Sequence, residues 1–308
     1  MIPQFSVGLG WGHWFGSLVC LALLLPPQTV LASSPASASE SFSDQAAILD
    51  ALSSAQVVYL GETHDSPADH VAQFEIIEGL VARKGKFEGV AIAFEMFQRP
   101  FQPALDAYLA GDIDEQTLLT GTEYEQRWGF PWDYYAPILR FAQAHQLPIL
   151  ALNTPTELTR KVARSGLSSL TSDDQHYIPP LSEIRTDNVA YRSYIETIFN
   201  DIHGGLGSAM SFDNFFAAQV LWDETMADAI ATFLQQNPDH QVIVLAGQGH
   251  VVYGYGIRDR LARRLGDDLA QQTVLLNPDE AIQIEAQNGI ADHFWFSPEP
   301  SELPKDGL

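Results

Sequence analysis

Acidic side chains and a histidine follow two apolar runs of this sequence, at the point where each run ends. The run 57–60 is β-branched and aromatic, which is typical of a buried strand, and Glu62 and His64 come just after it. The run 89–94 is a second apolar stretch, and Glu95 follows it directly. Carboxylates and imidazoles can transfer protons or bind a metal ion.

Two later apolar runs end in the same way. The run 148–152 is followed by Asn153, and the run 242–246 is followed by a glycine-rich turn that carries His250. Ligands of open α/β sheets bind beyond the carboxyl ends of parallel strands. We therefore expect these residues and those of the first two runs to meet at one edge of a single sheet.

Two interpretations of such a cluster are open. Neutral imidazole and carboxylate suit a divalent transition metal, with His64, Glu95 and His250 as ligands. Glu62 would then be the general base of a metal-dependent hydrolase. The alternative for the first motif is structural: Glu62 and Asp65 cap the next helix, and His64 packs or faces water.

The composition excludes some classes of protein. The chain has 308 residues, 46% of them hydrophobic, which is enough for one large packed domain. Its net charge of −23 at pH 7 repels phosphate backbones, so nucleic acid is not an expected partner. Cys20 is the only cysteine, which excludes disulfides within the chain and zinc sites built on several cysteines.

The N-terminal segment resembles an export signal. Residues 1–32 contain no Lys, Arg, Asp or Glu, and they end in the small-residue sequence Val-Leu-Ala. Their apolar run is too short for a comfortable membrane span. Cleavage there would place the protein in the periplasm or another extracytoplasmic compartment. Because the usual positive charge is missing, an uncleaved N-terminal anchor is the alternative.

The rest of the chain has the pattern of a single α/β domain. We expect this domain over 43–297, after a flexible Ser/Ala/Pro linker at 33–42 and before a tail at 298–308. Strand and helix patterns alternate, which predicts a mostly parallel sheet flanked by helices. From 155 to about 207 the pattern is helical without obvious strands, which indicates a smaller all-helical insertion.

Several short motifs occur in a specific order between about residues 43 and 297. They are Gly-Glu-Thr-His-Asp at 61–65, His70 with Gln73, Phe94 with Glu95, the stretch 105–111, Leu152 with Asn153, Gln219 with Asp223, and the stretch 247–261. In these motifs the chain resembles the ChaN-like haem-binding proteins. Their superfamily also holds the Tiki, TraB and erythromycin-esterase-type proteins.

This resemblance implies a protein that binds haem for haem or iron handling without turnover, often as a homodimer. It also implies that a tyrosine ligates the iron, and Tyr253 and Tyr255, just past the His250 loop, are the candidates. Tyrosinate is an anionic oxygen donor that is known as a haem ligand. The structural alternative is that both rings pack this loop against the sheet.

Haem would make further demands on the sequence. Its anionic propionates need cations, and Arg127 and Arg258 are predicted near the sheet edge as forked partners. Its flat ring needs apolar walls, which Trp128 and its aromatic neighbours would supply, unless they are simply core. Uptake would also require a partner, for example at an outer membrane, whose identity the sequence leaves open.

The same resemblance keeps the hydrolase alternative open. Tiki proteins are metal-dependent proteases that use comparable glutamate and Gly-x-x-His positions. The stretch 247–250, which ends in His250, matches that spacing.

Overall fold

A computed structural model describes residues 38–83, 87–203 and 211–297 of this protein. The predicted export signal (1–32) and tail (298–308) lie outside the described residues. Six strands form the sheet: β1 (Val57–Glu62), β2 (Gly89–Gln98), β3 (Ile149–Asn153), β4 (His240–Gly247), β5 (Gln271–Leu276) and β6 (His293–Trp295). All neighbours are parallel, in the order β3-β2-β4-β1-β5-β6.

Helices connect and cover the strands. Those of the described residues are α1 (Ala38–Leu52), α2 (Pro67–Arg83), α3 (Gln102–Ala110), α4 (Glu115–Gly121), α5 (Tyr124–Arg127), α6 (Trp132–Ala144), α7 (Thr156–Ser165), α8 (Val189–His203), α9 (Phe212–Gln236), α10 (Ile257–Leu265) and α11 (Glu280–Ile284). The predicted α/β class with a parallel sheet is confirmed. None of these helices has the length and apolarity that a membrane crossing requires.

Two expected segments can be compared with the structure, the linker at 33–42 and the helical insertion that begins at 155. Helix α1 begins at Ala38, so it overlaps the segment 33–42 that was expected to be a flexible linker. The described part of the predicted insertion, 155–203, contains α7, α8 and short 3-10 turns. Helices α7 and α8 pack with α9 around a separate apolar cluster that includes Val162, Ile195 and Phe216.

The sheet has an apolar layer on each face. Glu62 and Glu95 lie on opposite faces of it. Successive side chains of a strand point to opposite faces. Leu60 of β1 packs in the cluster beneath α2 and α6, whereas Ala93 of β2 packs in the cluster beneath α9 and α10. By the same alternation, Glu62 projects on the α2 and α6 side and Glu95 on the α9 side.

Strand β2 is longer than its apolar run predicts. The run ends at Phe94, but the strand continues to Gln98 because Met96 and Phe97 are also buried. Its register against β3 shifts between Phe94 and Gln98. Glu95 therefore lies inside the strand, at an irregularity, rather than after it. Such irregularities re-aim side chains next to functional sites.

Candidate functional site

Glu62, the last residue of β1, is the centre of a buried hydrogen-bond network. The His64 imidazole donates from Nδ1 to Glu62 Oε1 over 2.7 Å, and the Tyr135 hydroxyl of α6 donates to the same oxygen over 2.7 Å. Gln73 of α2 donates its amide to Glu62 Oε2. Glu62 is only 3% exposed and His64 only 4%. A buried carboxylate is stable only when it is paired in this way.

The partners of Glu62 also set its charge. Burial opposes ionisation, but the hydrogen bond from His64 and the nearby imidazoles hold the pKa of Glu62 below its ordinary value. Burial likewise opposes the imidazolium, but the Glu62 hydrogen bond and the Glu95 charge raise the pKa of His64. His70 holds both His64 and Gln73 in place. Its Nε2 lies 3.0 Å from the His64 carbonyl oxygen, and its Nδ1 lies 3.0 Å from Gln73 Oε1.

A second acid and imidazole pair forms on the opposite face of the sheet. His250 Nε2 lies 3.4 Å from Glu95 Oε1, and the backbone N–H of Gly247 donates to Glu95 Oε2 over 2.7 Å. On its other side, His250 donates from Nδ1 to Asp223 Oδ1 of α9 over 2.6 Å. The Tyr191 hydroxyl of α8 donates to Asp223 Oδ2 over 2.7 Å. His250 and Asp223 are completely buried.

The partners of Glu95 and His250 also set the charges of this second pair. Burial works against both charges, but mutual attraction and hydrogen bonding lower the pKa of Glu95 to about 2 and raise the pKa of His250 to about 10. At neutral pH this pair is therefore a carboxylate and an imidazolium. Gln219, one helical turn before Asp223, also reaches His250, with its amide nitrogen 3.1 Å from Nδ1.

Gly247 is the point where the two pairs meet. A Cβ added at this glycine would lie 3.0 Å from His64 Nε2 and 3.6 Å from Glu95 Oε2. The missing side chain thus leaves the space in which His64 approaches Glu95. Glu62, His64, Glu95 and His250 therefore form one buried acid–imidazole cluster, as the strand ends led us to expect.

The Glu95 and His250 pair predicts a specific pH dependence of stability. Ionised Glu95 stabilises the fold above its ordinary pKa of 4.5, and this contribution is lost as pH falls toward 2. Protonated His250 stabilises the fold below its ordinary pKa of 6.5, and this contribution is lost as pH rises through 10. The difference in unfolding free energy between wild type and Glu95→Gln should thus be largest from pH 4.5 to 6.5.

Urea unfolding of both proteins from pH 3 to 10 measures this difference. An exposed control substitution, Glu280→Gln, should change the unfolding free energy little across the range. A Glu95→Gln effect that stays constant with pH would contradict the assigned charges.

The arrangement gives little support to the metal-dependent alternative. Within the described residues, no three His, Cys, Asp or Glu side chains are placed to hold a metal ion together. His64 and His250 each use Nδ1 to bind a carboxylate, and the pKa of His250 is raised to about 10, so that ring is protonated at neutral pH, which opposes metal ligation. Ligation by His64, Glu95 and His250, with Glu62 as base, stays a prediction.

The two candidate iron-ligating tyrosines lie in a chain of aromatic contacts beyond His250. Tyr253 and Tyr255 stack with ring centroids 5.3 Å apart, and Tyr194 of α8 meets Tyr253 at 5.7 Å. Tyr255 lies against the buried Tyr191, at 6.2 Å. The Tyr253 backbone has a φ of 55°, the left-handed region that costs energy for a bulky residue.

Tyr253 also lines an open cleft along α10. The cleft has a volume of about 460 Å³, and its lining includes Arg258, Leu269 and Gln271. Arg258 lies near Tyr253, and its guanidinium donates to Asp292 over 2.6 Å. The Tyr253 hydroxyl donates to Glu285 Oε2 over 3.3 Å, at the end of α11. Tyr253 and Arg258 thus line the same cleft, while the Tyr253 hydroxyl itself is bound to a carboxylate.

Arg127 and Trp128 lie at a different place, on the His64 side. The Trp128 ring meets the His64 ring edge-on at 4.7 Å. Arg127 forms ion pairs with Glu123 and Glu157 at 2.8 Å and 3.0 Å. Trp128 therefore contacts the acid–imidazole cluster and Arg127 pairs with two glutamates, whereas Tyr253 contacts Tyr194 of α8 and Glu285.

Sequence reasoning missed some of the residues that complete these networks. Tyr135 is one of the aromatic neighbours of Trp128 in the sequence, and nothing in that pattern predicts that its hydroxyl binds Glu62. Tyr191 and Glu285 were not identified at all. They come from segments distant in sequence, and no local motif marks either of them.

A solved structure of another protein shares this fold. The chain is similar to ChaN of Campylobacter jejuni, described for its cofacial haem binding, at 20% identity and a TM-score of 0.55, over 76% of this chain and 86% of that one. It is more distantly similar to a mutant of an erythromycin esterase in its open conformation, at 16% identity and a TM-score of 0.46, over 76% and 73% of the two chains. No curated protein matches the sequence.

The sequence itself matches a family model. The family described as haem-binding uptake, Tiki superfamily, ChaN, matches residues 48–261, which is more than half of the chain. That range includes β1 to β4, the acid–imidazole cluster and both candidate tyrosines. The chain therefore belongs to the ChaN family of haem-binding uptake proteins in the Tiki superfamily.

Proposed function

We propose that this protein binds haem for haem or iron handling, and that Tyr253 supplies the ligand to the iron. The observation that carries the proposal is the position of Tyr253, whose ring is only partly buried and lines a cleft beside a guanidinium. Family membership supports haem as the ligand. When bound, haem would supply a ferric centre, for which a phenolate oxygen is a suitable donor.

Three features of the cleft suit this group, although its lining also includes Asp259 and Asp267. A volume of about 460 Å³ is within the range of cofactor sites. The strained backbone of Tyr253 is typical of a residue held in place for function. Arg258 is one third exposed, so its guanidinium is free to exchange Asp292 for a propionate.

Tyr253 is a better candidate than Tyr255. The ring of Tyr255 packs against Tyr191, which is completely buried beside Asp223, whereas Tyr253 lines the open cleft. A role for Arg127 and Trp128 toward haem stays a prediction, because Trp128 contacts His64 and Arg127 pairs with Glu157.

The proposal extends to where the protein works. A haem-uptake family fits an extracytoplasmic location, and residues 1–32 are the segment that we propose as the export signal. Haem exchange there would involve an uptake partner, and a homodimer would bring two clefts together. Compartment fractionation and light scattering of the purified protein test these two points.

Hemin titration of the purified protein tests the proposal directly. We expect a saturable change in the Soret band with a defined stoichiometry, because a tyrosine-ligated site gives a spectrum distinct from free hemin. The titration is carried out in albumin-free buffer and ends at a fixed excess of hemin, which separates specific from nonspecific binding. A linear, unsaturable absorbance change would end the proposal.

A further inference from the structure

We propose that Glu285 opposes iron ligation by Tyr253 and so limits how tightly this protein holds haem. This inference rests on the proposed function and names a regulatory residue of the same site. It starts from a contact that the described residues already contain, between the candidate ligand atom and a carboxylate.

The contact is held from two sides. The Tyr253 hydroxyl donates to Glu285 Oε2 over 3.3 Å, and the Asn288 amide donates to the same oxygen over 2.6 Å. Asn288 therefore fixes this carboxylate oxygen beside the phenol. Tyr253 is equally restrained, because its backbone N–H donates to the carbonyl oxygen of Ile290 over 2.9 Å.

The chain that carries Glu285 is anchored as well. Asp279 caps the start of α11, and its side chain accepts a hydrogen bond from the backbone N–H of Ile282 over 2.8 Å. Glu285 follows α11 directly, in the short 3-10 turn that also carries Asn288. Because Tyr253 is tied to Ile290, just beyond that turn, the phenol and the carboxylate belong to one connected unit.

The charge of Glu285 has opposite effects on the two states of Tyr253. A carboxylate oxygen is a good acceptor for a neutral phenol, so it stabilises the protein without haem. Iron ligation makes the phenol oxygen anionic, and a carboxylate 3.3 Å away then repels it. The contact favours the haem-free protein over the haem-bound protein, which would suit a carrier that has to release its cargo.

The substitution Glu285→Gln separates charge from shape. A glutamine keeps the size of the side chain, and its amide can donate a hydrogen bond to an anionic phenol oxygen. We expect Glu285→Gln to bind hemin about tenfold more tightly, mainly through slower release. Release is measured by transfer of hemin from the loaded protein to excess apomyoglobin, and affinity by Soret titration.

Glu280→Gln is the matched control, because it removes the same charge from an exposed position of α11. It should leave hemin release within about twofold of wild type. Asn288→Ala frees Glu285 to move away from the phenol. We therefore expect this variant to release hemin more slowly than wild type, but by a smaller factor than Glu285→Gln. Unfolding curves of each variant show whether it folds.

The outcomes distinguish this inference from the proposed function. If wild type binds hemin through Tyr253 but Glu285→Gln releases it at the wild-type rate or faster, the inference is wrong and the proposed function stands. If Glu280→Gln has the same effect as Glu285→Gln, general charge explains the change and the specific contact does not. If wild type fails to bind hemin, both proposals fall together.

Discussion

Replacement of Tyr253 by phenylalanine is expected to weaken hemin binding by about 100-fold, which is about 2.7 kcal/mol of binding free energy. The substitution removes only the oxygen that would ligate the iron. The ring contacts with Tyr255 and Tyr194 are retained. The Soret band of any residual complex should also shift, because the axial ligand is changed. Soret titration and the absorbance spectrum of the saturated complex measure both effects.

Tyr255→Phe is the matched control for this experiment. It removes the hydroxyl of a tyrosine that lies two residues from Tyr253 and whose ring packs on Tyr191. The hemin affinity and the Soret spectrum should stay close to those of wild type. The reverse result, with Tyr255→Phe losing hemin and Tyr253→Phe retaining it, would move the ligand to Tyr255. Wild-type behaviour of both variants would remove tyrosine ligation altogether.

Replacement of Asp223 by alanine is expected to lower the free energy of unfolding by about 3–5 kcal/mol. The carboxylate accepts hydrogen bonds from the buried His250 imidazole and from the buried Tyr191 hydroxyl. Without it, an imidazolium loses its nearest anion and a hydroxyl loses its acceptor, in a place that water does not reach. Urea denaturation followed by circular dichroism at pH 7 measures the loss.

Asp213→Ala on the same helix is the control. Asp213 is 76% exposed and forms an ion pair with Arg192, so its removal should cost at most about 1 kcal/mol. Equal losses of unfolding free energy from the two substitutions would mean that the buried contacts of Asp223 stabilise the fold no more than an exposed ion pair does. A stable Asp223→Ala protein would show instead that His250 is held without its carboxylate.

The sequence was sufficient to predict that Glu62, His64, Glu95 and His250 lie close together. Two general rules led to this result: apolar runs of β-branched residues form buried strands, and the carboxyl ends of parallel strands share an edge. These rules depend on local patterns, so they needed no knowledge of the order of the strands.

The face on which each side chain lies could not be predicted in the same way. Glu95 is expected to follow its strand, but β2 continues past it, and alternation along the strand places Glu95 on the face where it meets His250. The contact of Glu285 with Tyr253 depends on how α11 docks. Docking of distant segments is set by tertiary packing, which leaves no periodic mark in the sequence.

The place of β4 in the sheet has a consequence for biosynthesis. This strand, His240–Gly247, separates β1 from β2, although those two are joined by a single helix and emerge from the ribosome early. Until β4 is made, both of its future neighbours keep an open edge of unpaired amides and carbonyls, which invites association with other chains. Non-local pairing of this kind is slow to form. A nascent chain therefore has to be kept apart from its copies until β4 has been translated.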